Sequence, residues 1–336
     1  MNRITGHKSI ICIFILITLI ISGCSPIPGT KNISRSGFYF DTLISITIYD
    51  SDNESILDEC FDMCKYYEQL LSMTVDGSDI SMINRSGCEN VTVSSDTVNL
   101  ITAARKYCAL SGGMLDITVA PLSQLWTLAR TNECPPSDIE IEALIPHVGL
   151  DKITIDINNN TVNKSDPETM LDTGALAKGY IADQLKKILE KRGIHSAIIS
   201  LGGNIVTVGS KPDGSPFKIG IRKPFGQADE AAASLNISDK SVVTSGIYER
   251  CFTYDDRLYH HILNPSTGYP EDTDLYSATI ISSSSLEGDA LSTICLLYGL
   301  KRAEQLINET PGVEAVFITR DNRLHYTGGA DSYINK

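Results

Sequence analysis

The sequence predicts an α+β fold, an antiparallel β-sheet core with helices packed against it, and three observations carry that prediction. Apolar runs of strand period and of helix period alternate along the chain after residue 36, with no fixed-period repeat. Neighbouring strand-like runs are joined by tight turns, Gly202-Gly203 and Asp321-Asn322, which suit hairpins. No long linker or low-complexity block divides this stretch, so one compact unit of one or two lobes is expected over residues 37–330.

The elements follow in order. Arg3 and Lys8 precede an apolar run from Ile10 to Ile21 that ends in Ile21-Ser22-Gly23-Cys24. The run is shorter than the ~20 residues of a membrane-spanning helix, and its small-residue exit reads as a secretory signal over 1–23 with a lipobox. Cys24 then becomes a diacylated N-terminus; each buried methylene of a lipid chain adds about 0.8 kcal/mol of membrane affinity. Localisation at the outer face of the cell membrane, held by lipid, is the expectation. Residues 24–36, polar with two prolines, read as a tether.

The spacing predicts a strand near 39–49, then a helix over 54–72 with Ile56, Cys60, Phe61, Cys64, Tyr67 and Leu71 on one face. A second helix over 95–111 carries the stripe Val98, Ile101, Ala104 and Cys108, and a short one follows at 138–145. After a strand near 152–156 comes a helix over 174–192, with Ala177, Ile181, Leu185 and Ile188 inward and Gly193 closing it. Strands are read near 197–200, 204–209, 217–222, 241–244, 258–263 and 276–282. Helices over 285–298 and 301–308 are separated by Gly299, and strands near 315–320 and 323–327 end the chain. Trp126 reads as a core residue.

Composition narrows the function. The formal net charge is −13, and it becomes −15 once Arg3 and Lys8 leave with a signal that holds no acid. So acidic a chain is a poor nucleic-acid binder. Of nine cysteines, Cys12 leaves and Cys24 is lipidated, and the odd remainder on apolar helix faces reads as buried thiols, neither a disulfide framework nor a zinc site.

Three segments carry chemistry. In Leu171-Asp172-Thr173-Gly174-Ala175-Leu176-Ala177-Lys178 a polar turn runs into a helix whose free amides and lysine suit an anionic group; an ordinary capped helix with a solvated lysine fits the spacing equally. In Ser284-Ser285-Leu286-Glu287-Gly288-Asp289-Ala290-Leu291-Ser292-Thr293, Asp289 and Thr293 project from successive turns, as a hard cation such as Mg²⁺ would need. A dipole-favoured aspartate and a back-bonded threonine fit that pattern too. In Tyr259-His260-His261-Ile262 the adjacent histidines point to opposite faces of a strand, so at most one can serve a site built there.

These segments, with Gly112-Gly113-Met114-Leu115-Asp116 and Leu201-Gly202-Gly203-Asn204, occur in this order in the ApbE family of FAD:protein FMN transferases, which the chain resembles from about Gly37 to Tyr326. The resemblance implies an ApbE-like, tunnelling-fold-like α+β arrangement. It implies that Asp172, Lys178, Met114, Leu115 and Asp116 bind FAD and that Ile262 lies beside the flavin nucleotide. Mg²⁺ would be held by the Ala175 carbonyl, Asp289 and Thr293 with Ser292 nearby, and His261 would be catalytic. Leu43 stands where the family has a methionine, and Thr74 stands where many members carry an aromatic that stacks on the ligand. Asn264 replaces an aspartate.

The implied reaction is magnesium-dependent transfer of FMN from FAD to a threonine of an extracytoplasmic flavoprotein acceptor, with AMP leaving. Two alternatives stay open: a magnesium-dependent FAD pyrophosphatase, in which water attacks, and a non-catalytic FAD-binding lipoprotein, which would need neither the Asp289/Thr293 pair nor the histidine.

Overall fold

The structure is a computed structural model that describes residues 32–227 and 229–335; the predicted signal, Cys24 and residues 25–31 of the tether lie outside them. The expected tether boundary at residue 36 is corrected. Ile33–Tyr39 is already a strand, β1, although its Ser-Arg-Ser-Gly centre shows no apolar run. It forms because it pairs along its whole length with β2 (Thr42–Ile48), Ile33 opposite Ile48 and Tyr39 opposite Thr42.

The chain continues through α1 (Ser55–Leu71), α2 (Asp79–Arg85), β3 (Val91–Thr92), α3 (Ser95–Leu110), α4 (Ala120–Asn132), α5 (Asp138–Leu144), β4 (Ile153–Asp156), β5 (Thr161–Lys164) and α6 (Ala177–Lys191). Strands β6 (Ser196–Leu201), β7 (Asn204–Gly209), β8 (Phe217–Arg222), β9 (Ala231–Ile237), β10 (Ser241–Gly246), β11 (Cys251–Tyr254), β12 (Arg257–His260) and β13 (Leu275–Ser282) follow. Helix α7 (Ser285–Asn308), β14 (Glu314–Thr319) and β15 (Leu324–Tyr326) complete it. The two helices predicted on either side of Gly299 form one run broken at that residue, where φ is 69° and ψ 169°.

The main sheet has the order β1-β2-β6-β7-β10-β13-β14-β15, and every pairing between these strands is antiparallel. Its residues alternate between two cores. One face, with Ile44, Ile46, Ile199, Val206 and Ile280, buries the stripes of α1, α6 and α7. The other, with Val242, Ile281, Val316 and Ile318, is covered by the β8–β9 hairpin through Phe217, Ile219, Leu235 and Ile237. A third cluster of Leu122, Trp126, Ala129, Ile141 and Leu263 joins α4 and α5 to the β11–β12 hairpin. This is the α+β architecture the sequence predicts, and the cysteines among the described residues are all free.

Behind the site lies a fully buried lysine. Lys164 donates to the carbonyls of Asn84 (3.0 Å), Pro167 (3.0 Å) and Thr169 (2.8 Å), which satisfies all three of its protons. Asn84 in turn brackets Leu171, its amide donating to the Leu171 carbonyl at 3.0 Å and its Oδ1 accepting the Leu171 N–H at 2.6 Å. The segment that ends at Asp172 is therefore fixed from below.

Candidate active site

Helices α6 and α7 cross so closely that no side chain fits between them at Gly179, where a Cβ would lie 2.3 Å from the Ser285 carbonyl oxygen. Asp183 of α6 caps α7, accepting from the Ser284 hydroxyl (2.7 Å) and the Ser285 (2.7 Å) and Leu286 (3.1 Å) amides. The same approach places Asp289, 2% exposed, against the start of α6. Its Oδ2 accepts the Gly179 N–H at 2.9 Å, and its Oδ1 lies 3.7 Å from Lys178 Nζ.

That amide bond has a consequence for the turn before α6. In an unbroken helix the Gly179 N–H would serve the Ala175 carbonyl; here it serves Asp289, so the Ala175 oxygen stands outside the helical ladder. Leu176 at the N-cap supplies no side-chain bond, so Asp289 is the side chain that caps this end of α6. Lys178 curls back to donate to the Gly174 carbonyl at 2.9 Å and remains about a quarter exposed (27%), free to reach a ligand.

Asp172 opens the turn. Its Oδ1 accepts the Gly174 N–H (2.9 Å) and its Oδ2 the Ser123 hydroxyl (3.1 Å), while the residue stays half-buried. So held, the carboxylate can accept a ring N–H or a ribose or ribityl hydroxyl, and it repels phosphate. Asp116 is different. Its Oδ1 takes the Thr118 N–H (2.8 Å) and hydroxyl (2.6 Å) and its Oδ2 the Leu150 N–H (3.0 Å). Both oxygens of its carboxylate thereby brace the loop in front of α4. Leu115 is buried in the main core, and Met114 lies at the core edge, 4.0 Å from an Arg302 guanidinium nitrogen through its sulfur.

The strand predicted over 258–263 is corrected: β12 stops at His260 and His261 follows it in a bend, so the two histidines part where the strand breaks off. His260 is 4% exposed, and its Nδ1 accepts the Ile262 N–H at 3.3 Å. Burial first, then Arg320, lowers its pKa to about 4, so it is a neutral packing residue at physiological pH. His261 presents its ring to solvent, yet deep among protein atoms of the cleft. Those surroundings first, then the positive charges of Arg250 and Lys178, lower its pKa to about 3. The water that reaches the exposed ring tempers the size of that shift, and the direction stands: a neutral imidazole able to accept a proton. Ile262 is 6% exposed in the main core, so its side chain anchors this arm and does not face a ligand.

The remaining predicted positions fall at the rim. Leu43, 61% exposed, stands opposite Phe38 on the first hairpin, at the sheet end that also carries the Gly202-Gly203 turn, against which Thr42 packs. Thr74 is exposed on a turn, its hydroxyl 3.0 Å from Ser72 Oγ. Ser292 is fully buried, with its hydroxyl 2.8 Å from Ser245 Oγ and donating to the Asp289 carbonyl at 3.0 Å. Its side chain thereby ties α7 to β10. Thr293 is half-buried, and its hydroxyl is 3.3 Å from the Asp289 carbonyl, the back-bonded arrangement.

Among the described residues no three His, Cys, Asp or Glu side chains gather at one point, so a site for a thiolate- or imidazole-preferring metal is not formed. The oxygen donors offered here are the Asp289 carboxylate, the Ala175 carbonyl in the turn before α6 and the Thr293 hydroxyl one turn along α7. An all-oxygen set with few protein ligands fits Mg²⁺, which keeps water and substrate oxygens in its octahedron.

A buried carboxylate and a partly exposed ammonium at the start of a helix make a place suited to an anionic ligand. The chain belongs to the ApbE family, whose model matches residues 40–317. It is 33% identical over 292 residues to a protein of Klebsiella pneumoniae (strain 342) named FAD:protein FMN transferase, covering 87% of this chain and 90% of that one. A protein of the same name from Treponema pallidum (strain Nichols) is 29% identical over 92% of this chain and 90% of its own length. In structure, the ApbE protein of Thermotoga maritima matches with a TM-score of 0.82 at 28% identity, covering 91% of this chain and all of that one. The flavin transferase ApbE from Vibrio cholerae matches at 0.79 with 25% identity and the same coverage.

Sequence reading missed Gly179 and Ser123 in the site. A glycine inside a helix two residues before an apolar pair is a signal of close packing, but the Ser123 contact, 49 residues from its partner, has no local signature.

Proposed function

We propose that this chain transfers FMN from FAD to a threonine hydroxyl of an extracytoplasmic flavoprotein acceptor, with Mg²⁺ required and AMP released. The observation that carries the reading is the meeting of Asp289, Lys178 and the Gly179 amide at the start of α6, which leaves the Ala175 carbonyl outside the helical ladder. The names of its relatives support FMN transfer from FAD. The lipobox ending at Cys24 supports a lipid anchor outside the cytoplasmic membrane, and no helix among the described residues is long and apolar enough to cross a membrane.

Bound Mg²⁺ would neutralise charge on the pyrophosphate oxygens, held by Asp289, Thr293 and the Ala175 carbonyl. Asp172 holds a ring N–H or hydroxyl of the nucleotide, and Lys178 adds its charge to the same phosphates. Such catalysis is chiefly positioning and charge stabilisation. His261, neutral, accepts the proton of the threonine hydroxyl as its oxygen bonds to the FMN phosphorus and the bond to the AMP oxygen breaks. His261 is open to solvent, which favours a second reading in which water takes the place of threonine and the products are free FMN and AMP.

One experiment separates the readings. The full chain is incubated with FAD and an acceptor flavoprotein, with and without Mg²⁺, and intact mass and released AMP are read together. Magnesium-dependent gain of FMN on the acceptor, matched by AMP, is the expected result. AMP with free FMN would support hydrolysis, and bound but unchanged FAD would overturn both.

A further inference from the structure

Helix α4 touches both sides of the cleft. Ser123 donates to Asp172 Oδ2 at 3.1 Å, and Trp126 donates its indole N–H to the Gly268 carbonyl at 2.7 Å. Residues three apart share a helix face. One face of α4 therefore meets the nucleotide turn with one side chain and the histidine arm with the next.

The Trp126 contact is built to transmit position. The residue is 4% exposed, and its ring stacks on Tyr259 (centroids 5.5 Å, 23° between planes), which stacks on Phe252 (5.3 Å, 17°). Tyr259 lies in β12, two residues before His261. At the other end of the arm Gly268, at φ +75°, is seated so tightly that a Cβ would fall 2.4 Å from Ile141 Cγ2 and 3.2 Å from Leu122 Cδ2. Main-chain bonds from Gly268 N to Asn264 O (2.8 Å), Asn264 N to Tyr269 O (2.8 Å) and Glu271 N to Ile262 O (2.9 Å) carry that constraint back to the neighbour of His261.

We infer that Ser123 and Trp126 are positioning residues, and that α4 is a strut setting the separation between Asp172, which grips the nucleotide, and His261, which faces the incoming hydroxyl. The inference rests on the transfer reading above. A reacting group displaced by 1 Å loses on the order of 10²-fold in rate, so a rigid connection across the cleft has a kinetic value distinct from its contribution to folding.

The test compares the full chain with W126F and S123A for FAD affinity, transfer rate at saturating FAD and acceptor, and thermal unfolding. W126F keeps a ring on Tyr259 and loses the indole N–H. It should slow saturated transfer by at least about fivefold while FAD affinity stays within about twofold. S123A removes one hydroxyl from a helix surface, remains readable even if W126F fails to fold, and should weaken FAD binding by about threefold or more. A wild-type saturated rate in W126F, or unchanged FAD affinity in S123A, would overturn the strut. If the parent chain binds FAD and transfers nothing, the functional reading falls and this inference with it; parent transfer with silent variants removes the strut alone.

Discussion

The main-chain N–H of Gly179 donates to Asp289 Oδ2 at 2.9 Å, joining two residues 110 positions apart at the crossing of α6 and α7. This one bond buries a carboxylate, frees the Ala175 carbonyl from its helix and sets Lys178 beside the same aspartate.

Asp289 can be probed by two substitutions that separate charge from structure. Asp289→Asn retains an acceptor for the Gly179 amide and loses the negative charge; FMN transfer should fall by at least about 10²-fold with the fold kept. Asp289→Ala orphans a buried amide as well, at a cost of about 1–3 kcal/mol, visible as a lower melting temperature. Full Mg²⁺-dependent transfer by the Asn variant would remove the metal assignment.

Gly179→Ala should be destabilising although alanine is the better helix former. The added Cβ would meet the Ser285 carbonyl at 2.3 Å and the Leu286 Cα at 2.7 Å, both backbone atoms that cannot rotate away. Overpacking of this kind costs about 1–3 kcal/mol. Urea unfolding measures it, and a variant as stable as the parent would show that the helices separate freely.

His261→Ala should still bind FAD while losing about 10²–10⁴-fold in transfer, the range for a general base. Because the folded pKa is lowered to about 3, the imidazole stays neutral through pH 5–8, and the parent rate should show no acid limb from this group in that range. An acid limb near pH 6.5 that vanishes in the alanine variant would contradict the setting given to His261, beside the charges of Arg250 and Lys178.

His260 links pH to stability. Its folded pKa of about 4 lies below the ordinary 6.5, so the unfolded chain binds the extra proton first as pH falls. The neutral ring's contribution is fully present above pH 6.5 and is lost between pH 6.5 and about 4, a change on the order of 3 kcal/mol. His260→Gln should flatten that stretch of the melting-temperature profile; an unchanged acid slope would place its cause elsewhere.

Lys164→Met should be among the costly single changes behind the site. Methionine fills similar space and leaves the Asn84, Pro167 and Thr169 carbonyls without their shared donor, a loss on the order of 3 kcal/mol. Chemical denaturation would register it, and parent-like stability would show that water replaces the ammonium there.

By itself the sequence determined what depends on neighbours along the chain. The stripes of α1, α3 and α6, the Gly202-Gly203 hairpin, the Ser284 cap and the break at Gly299 all follow from local periodicity and turn chemistry. Elements without such a signal were missed. β1 and the alanine-rich β9 are strands because a partner strand completes their hydrogen bonds. α4 carries Pro121 in its first turn, where proline lacks only a donor the helix does not use. Spacing put Asp289, Ser292 and Thr293 on one helix, and the tertiary structure decided their partners: Ser292 is bonded to Ser245 of another strand, while Asp116 holds Thr118 of its own loop and the distant Leu150 amide. Periodicity is a property of a few successive turns, whereas the availability of a carboxylate or a carbonyl is decided by whatever donor the rest of the chain brings against it.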